Sequence, residues 1–150
     1  EKKNSDPWQK FTEADNKVVL ENFANKVSVP FSNSYCTTFE YDSVVGSYMR
    51  YFNSIERKDY VTGEYLYFKN IFVLLTNISN YPDGYHRKVS LTQGTGYYFV
   101  NGTYTQINWK KGNASDSFVF TTQDGKLLDV NPGNSWVCIA NASTSAPTMS

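Results

Sequence analysis

The dipeptide Asn101-Gly102 lies between two aromatic-rich runs, Gly96–Val100 (GYYFV) and Thr103–Lys110 (TYTQINWK). Asn-Gly accepts left-handed backbone at both central positions of a two-residue type I′ turn, whose twist matches that of paired strands. The segment is therefore read as a β-hairpin. Pairing across it sends Tyr98, Val100, Ile107 and Trp109 to one face and Tyr97, Phe99 and Tyr104 to the other. A sheet resting on a single core needs only one such face. Either both faces are covered, or one offers tyrosine and tryptophan to solvent as a platform for sugar or peptide. Burial is the expected outcome, because aromatic area stabilises most when removed from water.

The same texture runs through most of the chain. Its 12 Tyr, 10 Phe and 3 Trp outnumber Leu and Ile together, and Val and Thr are abundant, which favours sheet over helix. Val27, Val29 and Phe31 alternate with Ser28 and Ser32, and Tyr35–Tyr41 follows with β-branched and aromatic residues. Gly46–Phe52 alternates again, with Tyr48, Arg50 and Phe52 on one face and Met49 and Tyr51 on the other. Lys69–Asn77 contains IFVLL, the pattern of a strand buried on both faces. Tyr81-Pro82-Asp83-Gly84 is a turn by composition. Asp124-Gly125 predicts a second two-residue hairpin between Ser117–Thr122 and Lys126–Val130; Asn131-Pro132-Gly133 predicts a type II turn, and Ser135–Ala140 a closing strand. The fold class is all-β: an antiparallel sandwich or partly open barrel of eight to ten short strands. Residues 27–141 form one domain. Residues 1–26 are a lead-in whose Thr12/Asp15 capping pattern and Ala14, Val18, Phe23, Val27 stripe allow a short helix. Residues 142–150, small and polar, read as a flexible tail.

Chemistry is sparsely signalled. Fourteen basic and fourteen acidic residues cancel, which argues against nucleic acid even with Lys110 and Lys111 beside Trp109. The longest apolar run, Ile71–Leu75, is far short of the ~20 residues of a membrane-spanning helix. The chain starts Glu1-Lys2-Lys3 without an apolar signal core, as a mature product or an excised piece would. Four Asn-x-Ser/Thr sequons, at Asn77, Asn101, Asn113 and Asn141, are expected by chance in so polar a chain. Cys36 and Cys138 are either a disulfide, which at that separation would stabilise by ~4–5 kcal/mol, or two thiols acting as small hydrophobes. No Cys/His cluster suggests structural zinc, and Asp83, Asp116 and Asp124 lack metal-ligand spacing, so no metal or cofactor is expected. His86 is the one histidine, and its neighbours Tyr85, Arg87 and Lys88 suit a surface residue better than a catalytic base. Gly94-Thr95-Gly96 precedes a strand rather than a helix, so a bulge or a close backbone approach fits it better than a phosphate cradle. Glu40 and Asp42 flank Tyr41 and share a strand face, but no motif supports a glycosidase pair.

The order of the pieces is more specific than any one of them. Glu40-Tyr41-Asp42, Tyr48-x-Arg50, Asp59, Thr62-Gly63 and Asn70-Ile71-Phe72-Val73 come first. Gly94-x-Gly96-Tyr97-Tyr98-Phe99, Asn101-Gly102, Ile107-x-Trp109-Lys110 and Asn131-Pro132-Gly133-x-x-Trp136-Val137 follow. This series resembles the C-terminal domain of the YerB-like lipoprotein family (DUF3048), a bacterial family of unknown function, from about Phe11 to Ala140. The resemblance implies an extracytoplasmic protein of Gram-positive type, anchored by lipid through a segment and a first domain outside this chain. Such a location permits a disulfide. One departure stands out: where the pattern has Gly and then His ahead of the Asp, this chain has Ser54 and Arg57 before Asp59.

The expectation is a non-catalytic binding domain for a cell-wall polymer, a peptide or another surface protein. Its site is expected near Tyr48, Arg50, Asp59, Asn70, Trp109 and Lys110, with Arg50 gripping a carboxylate or pairing with Asp59 and Trp109 stacking on ligand. For these residues a buried ion pair and a core tryptophan are the competing structural roles. The rival functions are a peptidoglycan- or polysaccharide-acting enzyme built on carboxylates the fold assembles, and a structural module packed on its own N-terminal domain.

Overall fold

In the computed structural model of the chain, the described residues are 10–11, 19–31, 35–53, 55–56, 66–80, 82, 87–89, 93–111 and 118–150. Every regular element among them is a strand, numbered here in chain order. The central sheet runs β13 (Val119–Thr122), β12 (Thr103–Lys110), β11 (Gln93–Val100), β8 (Asn70–Thr76), β15 (Ser135–Asn141), with β2 (Asn22–Phe23) on the turn end of β12. A second sheet runs β16 (Thr148–Met149), β3 (Lys26–Pro30), β4 (Cys36–Asp42), β5 (Ser47–Phe52), β6 (Ile55–Glu56), and β7 (Tyr67–Phe68) also pairs with β5. Two short ladders stand apart: β1 (Lys10–Phe11) with β14 (Asp129–Val130), and β9 (Ile78–Asn80) with β10 (Arg87–Val89). Pairing is antiparallel throughout except β15 on β8 and β1 on β14, which are parallel.

The Asn101-Gly102 hairpin forms in the expected register, Val100 opposite Thr103 and Gly94 opposite Trp109. Asn101 and Gly102 take φ of 52° and 75°, as a type I′ turn requires. Both of its faces are buried. Tyr98, Val100, Ile107 and Trp109 join Phe72, Leu74 and Phe120 in one core, closed by Leu20, Leu128 and Val130. Phe99, with Tyr97 and Tyr104 at its margin, joins Ile71, Val73, Cys138 and Ala140 against Val27, Val29, Phe39 and Tyr48 of the second sheet. The central sheet is thus covered on both faces, which explains the unbroken apolar run of β8. Phe72 stacks between Tyr98 (4.7 Å) and Phe120 (4.5 Å) at the middle of the first core.

Close backbone packing accounts for the paired glycines. A Cβ on Gly94 would lie 2.5 Å from the Leu75 carbonyl oxygen, and one on Gly96 would lie 2.5 Å from that of Val73. The β11–β12 register continues through both without a bulge.

Three expectations are corrected. Phe23 and Val27, part of the helical stripe, lie in β2 and β3; Ala14 and Val18 lie outside the described residues. The second hairpin has a three-residue loop, Gln123-Asp124-Gly125, because Thr122 N–H donates to the Lys126 carbonyl and Gly125 takes φ of 84°. Beyond a bridge at Thr121–Leu127 the chain leaves β13, and Asp129–Val130 pairs with β1. The C-terminal residues are not a loose tail. Ser145 is buried, β16 pairs with β3, and the Ser150 carbonyl accepts from the amides of Asn25 and Lys26.

Candidate functional site

Most residues singled out from the sequence belong to the framework. Tyr48 projects from β5 between the sheets, where its hydroxyl accepts from the Gly102 N–H at 3.0 Å, tying the hairpin turn of one sheet to the other. Asn70, fully buried, accepts from the Tyr98 hydroxyl at 2.6 Å and donates to the Asn131 carbonyl at 2.8 Å, while Asn131 N–H donates to the Tyr98 oxygen at 3.0 Å. That closed triangle anchors the Asn131-Pro132-Gly133 loop, and it leaves the Asn70 amide no exposed surface for a ligand. Burial pushes both Tyr48 and Tyr98 well above the ordinary 10.0 of a phenol, against the opposing pull of the Gly102 and Asn131 amides.

Arg50 shares the inward face of β5 with Tyr48. Its guanidinium carbon sits 4.2 Å from the Trp136 ring centroid, and Phe39 and Phe68 pack on that indole at 5.8 and 5.3 Å. The cation is stacked on the interior rather than presented outward. Trp109 is 1% exposed and donates its indole N–H to the Leu75 carbonyl at 3.2 Å. It is therefore a core residue and not a stacking platform. Lys110 is exposed, at the far end of the sheet from Asn70. Asp59 lies outside the described residues, as do Ser54, Arg57 and His86. Among the described members, Trp109 and Lys110 lie at the opposite end of the central sheet from Asn70.

Cys36 and Cys138 are both free thiols. Cys138 points into the core between the sheets, whereas Cys36 sits half-buried on β4 with its sulfur 3.9 Å from Thr38 Oγ1 on the outward face. Of the two sequence readings, the structure holds the unpaired one. Burial pushes the Cys138 thiol up to about 12, outweighing Trp136 and Arg50, which pull it down. Among the described residues no three His, Cys, Asp or Glu side chains converge as metal ligands would.

The outward face of the second sheet has a different character. The registers put Lys26, Glu40 and Met49 in one row across β3, β4 and β5, and Ser28, Thr38 and Tyr51 in the next. Lys26 is exposed and Glu40, Met49, Thr38 and Tyr51 are half-buried. Lys26, Glu40, Met49 and Tyr51 line a groove of about 430 Å³ that also takes in Asn25 and Asp42, beside a recess of about 170 Å³ bounded by Lys26, Thr38, Glu40 and Tyr51. The Asp42 carboxylate accepts from the amides of Val44 (2.9 Å) and Val45 (3.3 Å), so it holds the β4–β5 turn. A second groove, about 440 Å³, lies by Gln93, Asn108, Lys110 and Thr121, but its one aromatic is the buried Trp109 and its one charge Lys110. The groove on β3–β4–β5 has charges of both signs and a half-exposed ring, and it is the better candidate site.

The sequence had marked parts of this face: Glu40 with Asp42 on one strand face, and Tyr51 opposite Arg50 on β5. What it did not mark was Lys26 and Thr38, which join them only through cross-strand register.

The family model described as "Protein of unknown function (DUF3048) C-terminal domain" matches residues 27–137. The chain belongs to this family. As a DUF3048 C-terminal domain it is 25% identical to "Putative lipoprotein YerB" of Bacillus subtilis (strain 168) over 131 residues, 86% of this chain and 39% of that protein. A crystal structure of the YerB protein from Bacillus subtilis has the same fold, with a TM-score of 0.70 at 25% identity over 86% of this chain and 45% of the other. This DUF3048 C-terminal domain therefore spans about two-fifths of the curated relative it matches.

Proposed function

We propose that this domain is a non-catalytic binding module of an extracytoplasmic, lipid-anchored bacterial surface protein, and that its ligand face is the outward side of β3–β4–β5. The observation that carries the reading is the groove in which Lys26, Glu40 and Tyr51 stand side by side on three mutually paired strands. The anchor and the location are carried over from the similarity to a protein named as a lipoprotein. A cell-wall polymer is the ligand that such a location supplies.

The same groove raises the hydrolytic alternative, since Glu40 and Asp42 both line it. A glycosidase pair needs one carboxyl to act as acid and the other as base or nucleophile. Asp42 is committed to two turn amides, which weighs against it in that role. The test is co-sedimentation of the domain with isolated Gram-positive cell walls, beside Tyr51→Ala and Glu40→Gln variants of unchanged melting temperature. Retention of the wild type with loss in Tyr51→Ala supports the reading. Equal retention of all three moves the ligand face elsewhere, and release of soluble sugar from the walls would make the domain an enzyme.

A further inference from the structure

Resting on that reading, we infer that the occupant of the β3–β4–β5 face is an uncharged, hydroxyl- and amide-bearing glycan chain, rather than an anionic polymer or a peptide. Three observations converge on it.

The first is where the backbone goes. β4 is paired on both sides, Thr38 with Ser28 and Tyr51, Glu40 with Lys26 and Met49. Its amides and carbonyls are spent in those ladders, so a peptide cannot add here as an extra strand, the mode that gives extended peptides much of their affinity. Whatever binds must be held by side chains.

The second is charge. The groove carries one cation, Lys26, against two carboxylates, Glu40 and Asp42. A chain of phosphates laid along it would meet net repulsion, whereas a neutral chain would not.

The third is the kind of side chain. The Thr38 and Ser28 hydroxyls, hydrogen-bonded to each other at 3.0 Å in the row beside Glu40 and Lys26, keep oxygen lone pairs that can accept from a ligand. Beside them is the Tyr51 ring, whose hydroxyl reaches the Met49 sulfur at 3.9 Å. A flat ring flanked by short polar groups matches a pyranose, which offers an apolar C–H face and an equatorial fringe of hydroxyls and amides.

The experiment is calorimetric titration of the whole chain with three probes: a β-1,4-linked N-acetylglucosamine hexamer, a glycerol-phosphate polymer and a short acidic peptide. The inference expects heat with the hexamer alone, and an affinity about tenfold lower in Tyr51→Ala. Glu40→Gln, a smaller change on the same face, should also weaken hexamer binding while leaving the melting temperature unchanged. Binding of the phosphate polymer or the peptide with none of the hexamer overturns the glycan assignment; if Tyr51→Ala still weakens it, the face itself stands. Hexamer binding indifferent to both variants overturns the site. Absence of binding to all three probes, together with no retention on whole walls, overturns the inference and the binding reading alike.

Discussion

At the scale of single residues, the side chains that looked most chemical are the ones that hold the two sheets and their turns together. Tyr48→Phe keeps the ring and removes one acceptor, leaving the buried Gly102 amide unsatisfied; a loss of about 1–3 kcal/mol in denaturant unfolding is expected. Arg50→Ala should also destabilise, because it strips the guanidinium from the Trp136 face, and Arg50→Lys should not fully restore it, since an ammonium cannot stack as a plane. Urea midpoints of the three variants check both statements.

Alkaline pH gives a further residue-scale test. Cys138, Tyr48 and Tyr98 all hold their protons in the folded state beyond their ordinary values of 9.0 and 10.0. In the unfolded chain they release them near those values. Above about pH 9 the unfolded state therefore binds fewer protons, and stability falls as pH rises, whereas these groups add no slope below it. Melting temperature against pH from 7 to 11 should be flat at first and then decline. Cys138→Ala should make the decline shallower, and an unchanged slope would place the effect on the tyrosines alone.

At the scale of elements, legibility followed the range of the interaction. The Asn101-Gly102 hairpin was readable because turn residues and period-two alternation are both local, and its faces came out as Tyr98/Trp109 and Tyr97/Phe99. The C-terminal segment was not readable. Ala142–Ser150 has the composition of a loose end, yet Thr148–Met149 finds a partner in β3 more than a hundred residues away. Removing residues 145–150 should expose the β3 edge and take away the acceptor for two amides. A loss of about 2 kcal/mol or more is expected by thermal unfolding, whereas a flexible tail would leave the transition in place. The asymmetric loop at Gln123–Gly125 was missed for a related reason: Asp-Gly is compatible with two-residue and three-residue loops, and the flanking pairings decide between them.

At the scale of the whole molecule, the burial of Tyr48, Asn70 and Trp109 was not legible because residue type does not say which side of a two-faced sheet meets water. Trp109 and Asn70 are the residues a binding site would use, and also the residues that a central sheet covered on both faces would bury. The polar outward face of the second sheet is assembled from the successive strands β3, β4 and β5 by register, which aligns Lys26, Glu40 and Met49 across them. A separate feature of the same scale is the apolar end of the molecule. Phe23 (83% exposed) lies on β12 beside the Gly102 turn, and Val44 (94% exposed) tops the turn that follows Tyr41, whose ring adjoins Gly102. These two would be the first contacts if the domain packed on another part of a longer polypeptide.

The most direct test of the central claim is an amide chemical-shift titration of the isotope-labelled domain with solubilised cell-wall glycan. The shifts should cluster on Lys26, Thr38, Glu40 and Tyr51, and in Tyr51→Ala they should need about tenfold more glycan to develop. Shifts gathered instead around Lys110 and Thr121, or around Phe23 and Val44, would contradict it.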